Sequence, residues 1–233
     1  MRPLLFGLAA LLAAAALAVG AARLDIAAEA AAPHAGRLWR SSWIWLTGVF
    51  LFLYVGVENG LAGRMPSYAL RVLGVSYRAM AAAQGGFWGA ILGIRLFAPA
   101  LLRRVPPPLL ILSGLALASL GMILLLASAG ARTLAAGALL AGAGLAAVFP
   151  TAVALFSERA GAQSVRVTGM VFAMSALGGA TVPWAVGAIS TRFDSLRLGL
   201  AVTLACSLLM IVLQFRDARS STMQDTLEQN RSA

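Results

Sequence analysis

Long apolar runs separated by short polar loops make up most of the sequence. Six of these runs cover residues 43–66, 80–101, 108–128, 133–156, 168–190 and 196–214. Each has about the 20 residues that a helix needs to cross the hydrocarbon core of a bilayer. Short connections between such helices are typical of antiparallel hairpins. The pattern therefore predicts an all-α, polytopic membrane protein with a six-helix bundle over residues 43–214.

A further apolar run, at residues 3–22, has two possible interpretations. Arg2 precedes it and the small residues AVGAA end it, as in a secretory signal peptide. Its length also suffices for another transmembrane helix over residues 1–22, which would give about seven in all. Residues 23–42 are predicted to form a linker, and residues 215–233 a polar tail.

Charged residues are scarce, and the excess is entirely basic. The chain has 61% hydrophobic and 11% charged residues, a net charge of +10 and no lysine. Soluble domains carry about 25% charged residues. A nucleic-acid-binding protein would gather its basic residues on a soluble face, whereas here they separate apolar runs. We therefore expect the partner of this chain to be a lipid bilayer and not a nucleic acid.

The arginines also predict the orientation in the membrane. With seven spans, one side of the membrane holds Arg23, Arg37, Arg40, Arg103, Arg104, Arg159, Arg166, Arg216, Arg219 and Arg231. The other side holds Arg2, Arg64, Arg71, Arg78, Arg132, Arg192 and Arg197. The positive-inside rule places the richer side, with the linker and the C-terminus, in the cytoplasm. This favours a span over a signal peptide for residues 1–22 and predicts a multi-pass protein of a cell membrane, such as a bacterial inner membrane.

The first bundle helix carries an acidic residue at membrane depth. Glu58 follows ten residues without a charge, and such a carboxylate costs about 2.5–3.5 kcal/mol to insert, so it is usually turned inward for a function. Tyr54 shares its helix face, Asn59 is adjacent, and Gln84 and Trp88 share a face of the next helix. These five residues predict a polar cavity. Its carboxylate and amide groups would bind hydroxyl groups of a ligand, and the Trp88 indole would stack on the face of a ligand ring. A polar cluster that only fixes helix packing is the alternative.

The depths of the residues along the two helices argue against an ion pair between Glu58 and Arg95. If the first bundle helix ends near Pro66, Glu58 lies about 12 Å below the surface, level with Gln84 and Trp88. Arg95 lies more than about 20 Å down. We therefore predict no direct Glu58–Arg95 ion pair, and a structural or gating role for Arg95 near the cytoplasmic side.

Other residues predict helix packing and shape. Gly85, Gly89 and Gly93 repeat at the four-residue spacing that lets helix backbones approach closely. Gly137, Gly142 and Gly144 also predict close packing. Pro150 and Pro183 should kink their helices, with a gating or structural role. Trp184, next to Pro183, is a further candidate for lining the cavity.

Nothing in the sequence supports catalysis. The single histidine, His34, has no partner at the spacing of metal ligands, and no span pairs a histidine with an acidic residue. We therefore expect no enzyme activity, no metal and no cofactor.

Four segments resemble major facilitator superfamily transporters. FLFLYVGVENGLAGRMPSYA is similar to the seventh helix, most closely in the branch of fucose and glucose/galactose proton symporters. FWGAILGIRLFAPALLRR resembles the eighth helix and the basic turn after it, which here contains Arg103 and Arg104. GAGLAAVFPTAVALFSERAG resembles the tenth helix, and VTGMVFAMSALGGATVPWAVGAIS the eleventh. Two departures are Arg64, where an aromatic residue is usual, and the lack of an acidic residue in the basic turn.

The resemblance implies that residues 1–22 are the sixth helix and that Glu58, Asn59, Gln84 and Trp88 face a transport cavity. A complete transporter has twelve helices in two halves, so the chain would be the C-terminal half plus one helix. The implied function is proton-coupled transport of a small polar solute such as a sugar, with Glu58 as the proton carrier and a separately encoded N-terminal half as partner. The alternatives are a membrane protein that binds or scaffolds a partner without transport, and an inactive transporter fragment.

Overall fold

The computed structural model describes residues 41–161 and 164–232, which form helices and no strand. The helices are α1 Ser42–Arg71, α2 Tyr77–Leu102, α3 Pro107–Leu126, α4 Ala131–Ala146, α5 Val148–Ala160, α6 Ser164–Arg192 and α7 Leu196–Ser232. The predicted all-α class is thus confirmed. The predicted helix at 1–22 and nearly all of the linker at 23–42 lie outside the described residues.

Five helical segments of the described chain are long and apolar enough to cross a membrane. They are Ser42–Arg71, Pro107–Leu126, Ala131–Ala160, Val167–Arg192 and Leu196–Arg216. The 26 residues of α2 are also enough to span a bilayer. The polytopic membrane architecture predicted from the apolar runs is therefore confirmed.

The bundle helices extend beyond several of the predicted ends. The helix α1 continues through Pro66 to Arg71, and α2 already begins at Tyr77. The turn between them contains Gly74 at a φ of +60°, a conformation that glycine adopts without steric cost. At the other end of the chain, α7 continues to Ser232, so most of the predicted tail at 215–233 is helical.

The two prolines predicted to kink helices behave differently. The fourth predicted span is interrupted at Ala147, so that α4 and α5 are separate helices. Pro150 lies in the first turn of α5, and its ring is incompatible with a helical hydrogen bond to the Ala146 carbonyl. Pro183, by contrast, lies inside α6, which is continuous from Ser164 to Arg192.

Glycines bring several helix backbones together. A Cβ at Gly178 of α6 would collide with the Phe52 carbonyl of α1, and one at Gly144 of α4 with the backbone of Ala118 in α3. Gly137 and Gly142 of α4 meet the backbones of α3 and α2 in the same way. These contacts confirm the packing role predicted for the glycines of α4.

No described helix packs on the repeated glycines of α2, so the packing role predicted for them stays a prediction. A Cβ at Gly85, Gly89 or Gly93 would have no atom within 4 Å. These glycines lie on the side of α2 away from α4, whose Gly142 instead meets Phe87. The four-residue spacing thus marks an open face of α2.

Side-chain contacts show which helix ends lie together. The Tyr68 hydroxyl donates to the Leu126 carbonyl at 3.2 Å, and Arg197 Nη2 donates to the Ser128 carbonyl at 3.2 Å. Arg197 Nε also donates to the Tyr68 hydroxyl at 3.1 Å. The end of α1, the end of α3 and the start of α7 therefore meet at one end of the bundle, which we call the Arg71 end.

Candidate solute-binding site

An ion pair joins α1 and α2 inside the bundle. Arg95 Nη2 lies 3.3 Å from Glu58 Oε2, and the two side chains are 39% and 15% exposed. The prediction that these residues do not pair is therefore wrong.

Side-chain direction and helix length explain the error. Because α1 ends at Arg71 and α2 begins at Tyr77, Glu58 lies about 20 Å and Arg95 about 27 Å from the shared end, an offset of about 7 Å. Helical side chains lean toward the N-terminus of their own helix. On these antiparallel helices the Glu58 and Arg95 side chains therefore lean toward each other, and the long arginine closes the remaining gap.

Arg95 also binds Tyr54 and the end of α4. Its Nη2 donates to the Tyr54 hydroxyl at 3.2 Å, and its Nε donates to the Ala146 carbonyl at 3.3 Å. The Tyr54 hydroxyl in turn donates to the Leu145 carbonyl at 2.9 Å. We call these three side chains and two carbonyls the Glu58 network. It connects α1, α2 and α4 through polar atoms.

The break between α4 and α5 makes these carbonyls available. Pro150 has no N–H to donate to Ala146, four residues earlier. Leu145 lies in the last turn of α4, where carbonyls lack the usual helical donors. Side chains can satisfy such groups inside a membrane protein. The network is therefore a consequence of Pro150, combined with donors from two other helices.

Gln84 also binds a backbone carbonyl that lies one helical turn before a proline. Its Nε2 donates to the Ala62 carbonyl at 3.1 Å, which is the carbonyl that Pro66 leaves without a helical donor. Its Oε1 is buried and has no hydrogen-bond partner within the described structure. Gln84 therefore meets α1 one turn beyond Glu58, with its acceptor oxygen buried between the helices.

Trp88 and Asn59 are exposed members of the predicted cavity, whereas Tyr54 is buried. Trp88 is 41% exposed, and its ring meets Phe87 edge-on with centroids 5.3 Å apart. Asn59 is exposed next to Glu58, and its Nδ2 lies 2.8 Å from where a Cβ of Gly179 would be. Tyr54, in contrast, is only 1% exposed.

Trp184 lies in a separate pocket at the Arg71 end. This pocket, of about 620 Å³, is lined by Arg64, Arg71 and Trp184 together with residues of the α6–α7 turn, and none of the other predicted cavity residues lines it. Sequence reasoning missed Arg71 as a member of a site. The signal was present, because Arg64 and Arg71 are seven residues apart and so share a helix face.

Arg103 and Arg104 lie outside the Glu58 network. Both are exposed in the turn after α2, at the end of that helix opposite to the Arg71 end. Thr151, in the first turn of α5, is fully buried, and its hydroxyl has no hydrogen-bond partner in the described part of the chain.

No family model matches the sequence, and no curated protein matches it either. Solved structures do. A crystal structure of a major facilitator superfamily transporter, FucP, in the outward conformation matches with a TM-score of 0.69 and 18% identity. An alanine variant of the E. coli fucose:proton symporter FucP matches with a TM-score of 0.64 and 18% identity. Each match covers 77% of this chain and 43% of the other. The chain, which spans less than half the length of these proteins, therefore has the fold of part of a major facilitator superfamily transporter.

Proposed function

We propose that this bundle is the C-terminal half of a secondary transporter that moves a small polar solute, with sugars as the first class to test. The fold match and the membrane-spanning helices support a transporter. In such transporters the solute binds between two repeats near the middle of the bilayer. The proposal therefore requires a second six-helix unit across from α1 and α2.

The Glu58 network is the observation that carries this proposal. Ionisable groups inside a membrane are costly and usually serve ion or substrate pathways. Here a carboxylate is paired with an arginine that also binds the Ala146 carbonyl at a helix break. The network connects the titratable Glu58 to the point where α4 ends and α5 begins. A change in the charge of Glu58 can therefore alter the backbone position of these helices.

We assign the proton to Glu58. Protonation would remove the carboxylate charge and weaken its bond to Arg95. Arg95 would then be held only by Tyr54 and Ala146, so α4 and α5 could change their angle about Ala147. In this scheme Tyr54 positions Arg95, while Arg103 and Arg104 lie at the opposite end and Pro150 and Pro183 shape the moving helices.

The solute would contact the accessible polar side chains beside the network. Glu58 and Asn59 offer acceptors, and the Asn59 amide also a donor, for hydroxyl groups. The exposed face of Trp88 suits the apolar face of a sugar ring. In the orientation given by the arginines, the Arg71 end is outside and the C-terminus is in the cytoplasm of a bacterial cell.

Transport in proteoliposomes tests this function. One preparation contains the chain alone, and another contains it with a six-helix half encoded beside it. We expect uptake of labelled fucose or galactose, driven by a pH gradient, only with both halves. Concentrative uptake by the chain alone would contradict the proposal.

Glu58→Gln tests the proton role in the active preparation. It should abolish uptake against a gradient and preserve exchange of labelled for unlabelled sugar, because the neutral amide cannot release a proton. Glu158→Gln is the matched control, since Glu158 is an exposed glutamate of α5, and it should leave both activities intact. Unchanged concentrative uptake by Glu58→Gln would exclude Glu58 as the proton carrier.

A partner-binding protein without transport is the second candidate. The open face of α2 at Gly85, Gly89 and Gly93 favours it, because small residues let another helix approach closely. In this case Gly89→Leu would abolish capture of a membrane partner, and neither Glu58→Ala nor Trp88→Ala would change sugar binding.

A further inference from the structure

The pocket at the Arg71 end has a volume that suits a small ligand. It lies between α1, α6 and the start of α7, and its volume is about 620 Å³. Ligand pockets typically measure about 300–1,000 Å³. It lies beyond Glu58 on α1, toward the end of that helix, and it shares no lining residue with the Glu58 network.

Two arginines without partners line this pocket. Arg64 and Arg71 project from one face of α1, since seven residues are close to two helical turns. Neither forms a hydrogen bond or ion pair with any described residue, although Asp194 lines the same pocket. Two cations against one carboxylate leave the pocket with a net positive charge. Unpaired guanidinium groups with their fixed donors are suited to bind carboxylate or phosphate.

Gly187 positions one of these arginines. A Cβ at Gly187 would lie 2.6 Å from Arg64 Nη2 and 3.4 Å from its Cζ. The guanidinium therefore occupies the space that the missing side chain leaves on α6. This contact holds Arg64 at the pocket rather than free in solution.

Trp184 provides an apolar surface next to the cations. It is 72% exposed and lines the pocket. An exposed indole beside donors is suited to a ligand with one apolar face and one charged group.

We propose that this pocket binds the oxyanion of a small polar ligand, with Arg64 and Arg71 binding its carboxylate or phosphate and Trp184 packing against its ring or chain. A neutral sugar would leave both arginines unpaired. The oxyanion has two possible sources: a soluble sugar acid, or the phosphate of a lipid headgroup. The inference concerns binding by this chain and does not depend on transport.

Equilibrium dialysis on the purified full chain tests the soluble source. The protein is placed in nanodiscs of phosphatidylcholine, and labelled glucuronate is compared with labelled glucose. We expect saturable glucuronate binding that glucose does not reproduce. Arg64→Gln and Arg71→Gln should each weaken it roughly tenfold, as expected for loss of a charged hydrogen bond. Arg78→Gln is the matched control, because Arg78 is exposed at the same end outside the pocket.

Gly187→Ala tests the position of the Arg64 side chain without changing the charge of the pocket. It keeps every arginine and favours helix, but its methyl group would displace the Arg64 guanidinium. Glucuronate binding should weaken while thermal stability is maintained. Unchanged binding in Gly187→Ala, Arg64→Gln and Arg71→Gln would overturn the proposal.

Nanodiscs with phosphatidylglycerol test the lipid source. A thermal stabilisation by this lipid that is lost in Arg64→Gln but kept in Arg78→Gln, without glucuronate binding, would assign the site to a headgroup phosphate. Absence of both glucuronate binding and lipid stabilisation would overturn the site. Such a failure would leave the proposed transport untouched, because that proposal is tested through Glu58.

Discussion

Arg95 has more partners in the Glu58 network than any other side chain, and its pairing with Glu58 can be measured by a double-mutant cycle. The cycle consists of Glu58→Gln, Arg95→Gln and the double variant. Glu58→Gln keeps the size of the side chain and removes its charge, whereas Arg95→Gln removes the charge and also shortens the side chain. The coupling free energy, which is the departure from additivity, measures the interaction between the two side chains.

The structure sets the expected size of this coupling. The charged atoms are 3.3 Å apart, which gives about 5 kcal/mol of attraction at an effective dielectric constant of 20. Desolvation opposes this attraction, and Arg95 is 39% exposed, so that solvent screens it. We expect a coupling of about 1–2 kcal/mol, above the 0.2–1 kcal/mol typical of exposed pairs.

The single variants should differ from each other. Arg95→Gln leaves the Glu58 carboxylate without its cation and also weakens the bonds to Tyr54 and Ala146, so it should cost about 2–3 kcal/mol. Glu58→Gln leaves Arg95 with those two other partners, and we expect a cost of about 1 kcal/mol.

Reversible unfolding in mixed micelles with increasing sodium dodecyl sulfate, followed by circular dichroism, gives these free energies. Glu158→Gln is a control that should change the free energy of unfolding by less than about 0.5 kcal/mol, as is usual for exposed sites. A coupling below about 0.3 kcal/mol, or Glu58→Gln costing more than Arg95→Gln, would contradict the stabilising role given to this ion pair.

Three further predictions use the same unfolding measurement. Tyr54→Phe should cost about 0.6–1.7 kcal/mol, the range for hydrogen bonds inside membrane proteins, and a neutral result would mean that the Leu145 carbonyl finds another donor. Gly178→Ala should cost about 1–3 kcal/mol because its methyl group meets the Phe52 backbone, whereas Gly89→Ala, on the open face, should gain up to about 1 kcal/mol; equal effects would contradict this assignment. Arg197→Gln should destabilise the Arg71 end, seen as faster amide hydrogen exchange near Tyr68 and unchanged exchange near Glu58.

The amino-acid sequence was sufficient to predict the all-α class of the fold and its polytopic membrane character. The bilayer imposes a minimum length on each apolar run, so membrane-spanning helices can be recognised without knowing their neighbours. The isolated charge of Glu58 also marked α1 as the helix with a polar site, and Pro150 marked the place where the fourth span is interrupted. These are local properties, fixed by the cost of burying a charge and by the missing N–H of proline.

Which polar groups meet depends on how the helices pack against one another. Glu58 pairs with Arg95 because helix ends differ from the predicted ones and because side chains on antiparallel helices lean toward each other. Tyr54 and Gln84 donate to backbone carbonyls, which the side-chain pattern does not represent. The open face of α2 is equally invisible in the glycine spacing, since a small-residue repeat shows that a helix can approach but not which side of the helix it occupies. Contacts between helices depend on axial offset and rotation, and the periodicity of one helix fixes neither.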